Sequence, residues 1–190
     1  MRHASKRWSR WAAAIESRER PSALLLSRHN LPYAPKPGFD AAPPGATIET
    51  IAKGAYVLAE PSEVGLRGKA RVVIIATGSE VTLALNAQQQ LARRENGAIA
   101  VRVVSMPSTS VFDRQGEACK RAVLPPGVPR VAVEMGVSDG WWKYGCAAVV
   151  GIDRYGESAP APVALQALRL HGRQRRRDGP GRAGKRVEIS

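Results

Sequence analysis

The sequence predicts an α/β fold, a three-layer α/β/α domain built on a mostly parallel sheet of about five strands. Short β-branched runs alternate with helical stretches from residue 54 onward, which is the pattern of strands joined by covering helices. A length of 190 residues with 44% hydrophobic content suits one domain with an ordinary core. No apolar run approaches the ~18 residues of a membrane span, and the start lacks a signal-peptide pattern. We therefore expect no membrane contact and a cytoplasmic location.

The first part of the chain is predicted to be separate from this domain. Residues 12–31 predict a short helix that Pro21 ends, followed by a strand at the apolar run 23–26. Residues 32–47 are rich in proline and glycine. Proline fixes the backbone φ angle and lacks an amide donor, and both residues interrupt regular secondary structure. This segment is predicted to be a linker.

Five apolar runs then predict the strands of the sheet. They lie at residues 54–60, 70–76, 98–106, 130–135 and 149–152. The second run contains four consecutive β-branched residues that are apolar on both faces, which is typical of a central strand.

Helices are predicted between these strands. The turn Thr77-Gly-Ser79 supplies Ser79 as a candidate N-cap for a helix that ends near Glu95, before Asn96-Gly97. A second helical stretch at 108–123 is loosened at Gly116, and a third is expected at 141–148.

The net charge of +13 is concentrated at the two ends of the chain. Residues 1–11 carry +4 and residues 164–190 carry +6, whereas 12–163 carry only +3. The chain is therefore predicted to be a nearly neutral globular domain with two basic ends, and not a basic domain. The arginine-rich tail at 164–190 could contact nucleic acid nonspecifically through phosphate neutralisation. Residues 1–17 also allow an organellar targeting reading.

The two cysteines give no metal signature. Cys119 and Cys146 stand alone, without CxxC or CxxH spacing. We expect both to be small buried thiols in a reducing compartment.

Four segments, in this order and spacing, carry a family resemblance. They are ESRERPSALLLSRHNLP at 16–32, ATGSE at 76–80, VRVVSMPS at 101–108 and YGESAPA at 155–161. Together they resemble the C-terminal part of a transketolase, and the likeness covers roughly residues 12–163. Residues 48–163 look like the C-terminal domain of that family, and 12–31 look like a remnant of its pyrimidine-binding domain.

The resemblance implies a chemistry and one candidate site residue. Transketolases transfer a two-carbon ketol unit between sugar phosphates in the pentose phosphate pathway, using thiamine diphosphate with Mg²⁺ or Ca²⁺ at sites between two subunits. The family's arginine that contacts the sugar phosphate matches Arg28 here. A planar guanidinium suits that role because it binds phosphate oxygens bidentately.

The departures from the family predict an inactive fragment. The Gly-Asp-Gly motif that holds the metal and diphosphate does not occur. We therefore expect no catalytic residue, no cofactor and no metal in this chain, and at most weak sugar-phosphate binding. Expected partners are a second copy or an intact transketolase subunit. Two other readings stay open: a non-enzymatic interaction or dimerisation module, and a basic nucleic-acid-binding protein.

Both basic ends depart from the family and read as frame-shifted. Synonymous codons exist for 166–179 whose reading one base later gives Lys-His-Phe-Gly-Phe-Thr-Val, the family's ending, and 3–9 behave similarly. Residues 1–11 are then a non-family terminus, and 164–190 an out-of-frame, disordered tail. Loss of the final covering helix predicts a marginally stable or aggregation-prone chain.

Three further groups of residues have competing interpretations. The turn at 77–80 could bind an anion at a helix start, although a structural turn is the simpler reading. The aromatic cluster could be a stacking platform, or packing and interface residues; its members are Trp141, Trp142 and Tyr144. The acidic residues that are candidates for acid–base catalysis are Glu134, Asp139 and Glu157. Nothing in the sequence places two of them together, as paired acid–base catalysis requires.

Overall fold

The computed structural model describes residues 11–12, 14–26, 49–61, 70–93 and 98–155, together with the backbone of 171–174 and 186–188. Its strands are β1 (Tyr56–Ala59), β2 (Val72–Ala76), β3 (Val101–Ser105), β4 (Arg130–Val133), β5 (Ala148–Gly151), β6 (His171–Gln174) and β7 (Arg186–Glu188). Its helices include α1 (Glu80–Ala92), α2 (Thr109–Asp113), α3 (Glu117–Val123) and a 3₁₀ helix (Asp139–Tyr144), and residues 11–12, 14–16 and 49–52 are also helical.

The strands form one mixed sheet in the order β1-β3-β2-β4-β5-β6-β7. Strand β2 pairs in parallel with both β3 and β4, and β4 pairs in parallel with β5. Strand β1 runs antiparallel to β3 at one edge. The predicted mostly parallel sheet of about five strands is therefore confirmed by β1 to β5.

Strand β2 is central because both of its faces are apolar. Ile74 lies opposite Val103 of β3 and Val131 of β4. Alternate residues of β2 enter two different hydrophobic clusters, as expected from the two-residue period of a strand. Both faces of the sheet are therefore covered.

Each face of the sheet has its own helix layer, which confirms the three-layer architecture. On one face α1 contributes Val81 and Ala84 to a cluster with Ile74 of β2. On the other face α2, α3 and the 3₁₀ helix cover β2 and β4. The buried side chains they supply are Phe112, Val123, Trp141 and Tyr144.

Most predicted helices are present, with shorter bounds. The stretch at 108–123 is split into α2 and α3 around Gly116, where the sequence predicted loosening. Ser108 caps α2 by accepting a hydrogen bond from the Val111 amide at 3.3 Å. The stretch predicted at 141–148 is the 3₁₀ helix, which ends at Gly145 in the left-handed region with φ 69°.

The strand predicted at 23–26 is wrong. Residues 11–12 and 14–16 are helical, as expected, but residues 21–26 have no regular structure. Leu25 and Leu26 are 85% and 67% exposed. A buried parallel strand needs neighbouring strands to satisfy its backbone, and none of the described strands pairs with this run.

The tail at 164–190, which we expected to be disordered, contributes backbone pairing to the sheet at 171–174 and 186–188. Strand β6 runs antiparallel to β5, and β7 runs antiparallel to β6. Backbone pairing to an open sheet edge depends little on side-chain identity. The linker at 32–47, residues 1–10 and the rest of the tail lie outside the described residues, so their assignments stay predictions.

Candidate functional site at the carboxyl edge of the sheet

The connections of the parallel strands place a topological switch point between β2 and β4. The chain leaves β2 through α1 to reach β3 on one side, and it then passes through α2 and α3 to β4 on the other side of β2. Open α/β sheets bind ligands where the strand order reverses, outside the carboxyl ends of the strands. A ligand site is therefore expected at the carboxyl ends of β2 and β4.

The turn after β2 presents a buried carboxylate at this edge. Gly78 adopts φ 55°, which lets the chain turn sharply into α1. Glu80 is only 3% exposed, and the Ser79 hydroxyl donates a hydrogen bond to Glu80 Oε1 at 2.8 Å. Ser79 stands at the predicted N-cap position, but its side chain makes no capping bond to a backbone amide.

A second carboxylate follows β4. The Glu134 amide donates to the carbonyl of Val150 at 3.0 Å, which fixes the residue beside the end of β5. Its Oε2 is buried and has no hydrogen-bond partner among the described residues. The pKa of the Glu134 carboxyl is raised to about 7, chiefly by burial and also by the negative charge of Glu80, while a hydrogen bond with the Gly136 backbone opposes the rise.

The two glutamates can together hold a proton near neutral pH. Two carboxylates that influence each other in a low-dielectric setting do not both ionise easily. Within the described ranges, no group of three or more His, Cys, Asp or Glu side chains could hold a metal ion. The negative charge of Glu80 at the start of α1 also disfavours an anion there, which supports the structural reading of the 77–80 turn.

The loop beyond β4 is fastened to the loop beyond β5. Asp153 accepts hydrogen bonds from the Ser138 amide at 2.8 Å through Oδ1 and from the Ser138 hydroxyl at 2.9 Å through Oδ2. Ser138 is buried, and this pairing fixes the start of the 3₁₀ helix. Asp139 is exposed at that start. The Asp153 carboxylate therefore connects the loop after β4 to the loop after β5 through two hydrogen bonds.

The other predicted site residues are placed as follows. Trp141 and Tyr144 are 6% and 8% exposed, with ring centroids 6.0 Å apart inside the core, so the packing reading of these two is confirmed. Arg28 and Glu157 lie outside the described residues, and the role of Arg28 stays a prediction. Sequence reasoning missed the electrostatic interaction between Glu134 and Glu80. The one feature of the sequence that could have indicated this interaction is that both glutamates closely follow predicted strands.

The fold and this edge define the class of protein: a doubly wound α/β domain whose switch point carries carboxylates in place of a glycine-rich phosphate loop. A family model described as "Transketolase-like TK C-terminal domain" matches residues 54–171. The chain therefore belongs to the transketolase family, as its C-terminal domain.

Individual relatives agree with this assignment. The chain is 46% identical over 158 residues to the "Probable transketolase" of Streptococcus pneumoniae, covering 82% of this chain and 21% of that protein. It is 44% identical over 154 residues to transketolase 1 of Vibrio cholerae, covering 80% and 21%. The solved transketolase from Leishmania mexicana superposes with a TM-score of 0.70 at 39% identity, covering 86% and 22%. The chain thus spans about a fifth of these relatives.

Within the described residues, no helix has both the length and the apolar character needed to cross a membrane.

Proposed function

We propose that this chain is the C-terminal fragment of a thiamine-diphosphate-dependent transketolase, and that it cannot transfer a ketol unit by itself. The observation that carries the proposal is the extent of the match. The family model covers residues 54–171, whereas the chain spans only 21% of its curated relatives. The cytoplasmic location and the place in the pentose phosphate pathway belong to the same proposal.

The residues of the candidate site do not fit the family's cofactor. A diphosphate with a divalent metal needs several oxygen ligands for the metal and positive or amide groups for the phosphates. Among the described residues there is no cluster of three metal-ligating acids or histidines. The carboxyl edge instead offers Glu80 and Glu134, which repel a diphosphate anion. No step of the family's reaction is therefore assigned to this edge.

The N-terminal segment supports docking against the remainder of a transketolase. Four large apolar side chains between residues 11 and 26 are 52–85% exposed: Trp11, Ile15, Leu25 and Leu26. Grouped exposed apolar side chains mark interaction surfaces. We propose that this segment packs against an intact transketolase subunit or a second copy of the chain. Arg28, which follows in the sequence, would bind a sugar phosphate at most weakly in the isolated chain and would contribute to a complete site in that assembly.

The test of inactivity uses the purified chain with thiamine diphosphate and Mg²⁺. Calorimetry should show no cofactor binding, and a ketol-transfer assay should show no turnover. A full-length bacterial transketolase in the same buffers provides the positive control. Cofactor uptake or ketol transfer by the isolated chain would overturn the proposal.

A separate experiment tests docking. The chain should co-elute in gel filtration with an intact transketolase or with itself as a dimer. Leu25→Ser with Leu26→Ser should abolish that association. Leu83→Ser provides a matched control because Leu83 is also exposed, at 41%, but lies on α1. Equal association by both variants would contradict the docking role of this segment.

The frame shift at residues 1–11 and 164–190 is also proposed, and DNA tests it directly. Codons whose neighbouring frame cannot encode the family's ending would contradict it.

A further inference from the structure

We propose that a cavity at the opposite, amino edge of the sheet binds a phosphate monoester with a small apolar group. The cavity has a volume of about 410 Å³. It lies between α2, α3 and the 3₁₀ helix, against Arg130 at the start of β4. Ligand cavities commonly have volumes of about 300–1,000 Å³. The inference concerns a surface far from the carboxyl edge and does not depend on the proposed function.

The lining of the cavity has an excess of positive charge. Its basic residues are Lys120, Arg121, Arg130 and Lys143, and its acidic residues are Asp113 and Glu117. Four cations against two anions leave a net charge that a doubly charged anion would neutralise. A phosphate monoester is such a dianion near neutral pH.

Arg130 supplies a fixed positive charge in the wall of the cavity. Its Nη1 donates to the carbonyl of Tyr144 at 2.5 Å, and its Nη2 donates to those of Leu124 and Pro125 at 3.0 and 3.1 Å. No carboxylate of the described residues forms an ion pair with it, and its buried Nε has no hydrogen-bond partner there. Carbonyl oxygens orient the guanidinium without cancelling its charge, so it attracts an anion.

The two cations of α3 can engage a ligand. Lys120 and Arg121 lie 3.6 and 3.9 Å from the Glu117 carboxylate, whose side chain is 73% exposed. Long, exposed ion pairs of this kind are weak and screened by solvent. Lys143 differs, because its Nζ lies 2.6 Å from Asp113 Oδ2 and is held there. We therefore expect Lys120 and Arg121 to make the direct phosphate contacts.

The remaining wall explains the preference for an ester over free phosphate. Pro126 supplies exposed apolar surface beside the cations, and the largely buried Phe112, Leu124 and Tyr144 form the apolar floor beneath it. The rings of Phe112 and Tyr144 are 6.1 Å apart and tilted by 49°. An apolar group attached to the phosphate would gain contact with this surface, whereas inorganic phosphate would not.

The test uses calorimetry on the full 190-residue chain with three compounds: phenyl phosphate, inorganic phosphate and phenol. Phenyl phosphate should bind most tightly, inorganic phosphate about tenfold more weakly, and phenol not at all. Lys120→Gln with Arg121→Gln should weaken phenyl phosphate binding at least about tenfold. The control, Lys53→Gln with Arg93→Gln, removes the same charge from two exposed residues outside the cavity and should leave the affinity unchanged.

Three outcomes would overturn the inference. Absence of phenyl phosphate binding would remove the site. Affinity retained by the Lys120/Arg121 variant would place binding elsewhere, for example on the arginine-rich tail, which is identical in both variants. An equal loss in both variants would show a response to total charge alone. Circular dichroism of both variants should show an unchanged spectrum, which would establish that the fold is kept.

Discussion

The carboxyl of Glu134 should make the stability of the fold depend on pH. In the folded chain its pKa is raised to about 7 by burial and by the charge of Glu80, against an ordinary value of 4.5. Between about pH 4.5 and pH 7, the folded chain therefore holds a proton that the unfolded chain has released. The free energy of unfolding should fall as the pH rises through this window.

The magnitude follows from the two pKa values. A pKa difference of one pH unit corresponds to about 1.4 kcal/mol, so the difference here sets an upper limit of about 3 kcal/mol. Glu134 is half-buried, and solvent screening of its partly exposed carboxyl reduces this to about 1–2 kcal/mol. Glu134→Gln is neutral at every pH and should be more stable than the unsubstituted chain by that amount at pH 8.

The assay is urea unfolding of both chains, followed by far-UV circular dichroism, from pH 5 to pH 8. At pH 5, near the lower end of the window, the difference between the two free energies of unfolding should be smallest, and it should widen as the pH rises. The three histidines are common to both chains, so any contribution from them cancels in the difference. Glu117→Gln, at a side chain that is 73% exposed, should leave the pH profile unchanged. Parallel profiles for Glu134→Gln and the unsubstituted chain would refute the reasoning.

Three other substitutions or modifications test the packing. Gly54→Ala should cost about 2 kcal/mol or more of unfolding free energy in urea, because φ is +87° and a Cβ would lie 2.5 Å from the Phe112 amide; no loss would contradict this close approach. Arg102→Ala should cost about 1–2 kcal/mol in the same assay, because the guanidinium binds both Glu60 oxygens and a carbonyl at the end of α3; a neutral result would mean that the pair is fully screened. Burial raises the pKa of the Cys146 thiol to about 11, so iodoacetamide at pH 8 should label it only after unfolding; mass spectrometry that finds it labelled in the folded chain would argue against the burial.

The sequence predicted the elements of the domain well because its local signals are strong. The β-branched run 72–75 has apolar side chains on both faces, which only a central strand can bury, and β2 is central. The break at Gly116 was also readable, since glycine weakens a helix locally. The apolar run 23–26 gave the same signal as a buried strand. Whether such a run is buried depends on partner strands that a local pattern does not reveal.

The candidate site could not be predicted from the sequence for a different reason. Glu80 and Glu134 come together only because β4 pairs with β2 instead of β3, the strand that precedes it in the chain. Strand order is a long-range property, and several orders bury the same apolar runs equally well. The charge of the amino-edge cavity likewise depends on three elements meeting at one place. In both cases the sequence shows which charged residues are present, but it does not show which residues lie next to them in the folded domain.

The strand order also has a consequence for the route by which the domain folds. Strands β2 and β3 and the helix between them are contiguous in the chain, so they can associate after closing a short loop. Strand β4 must pair with the side of β2 that faces away from β3, and the loop closed by this pairing contains α1, β3, α2 and α3, so its entropic cost is larger. Conservative substitutions in β2, α1 and β3 should therefore slow folding, whereas those in β4 and β5 should mainly accelerate unfolding, as stopped-flow measurements would show.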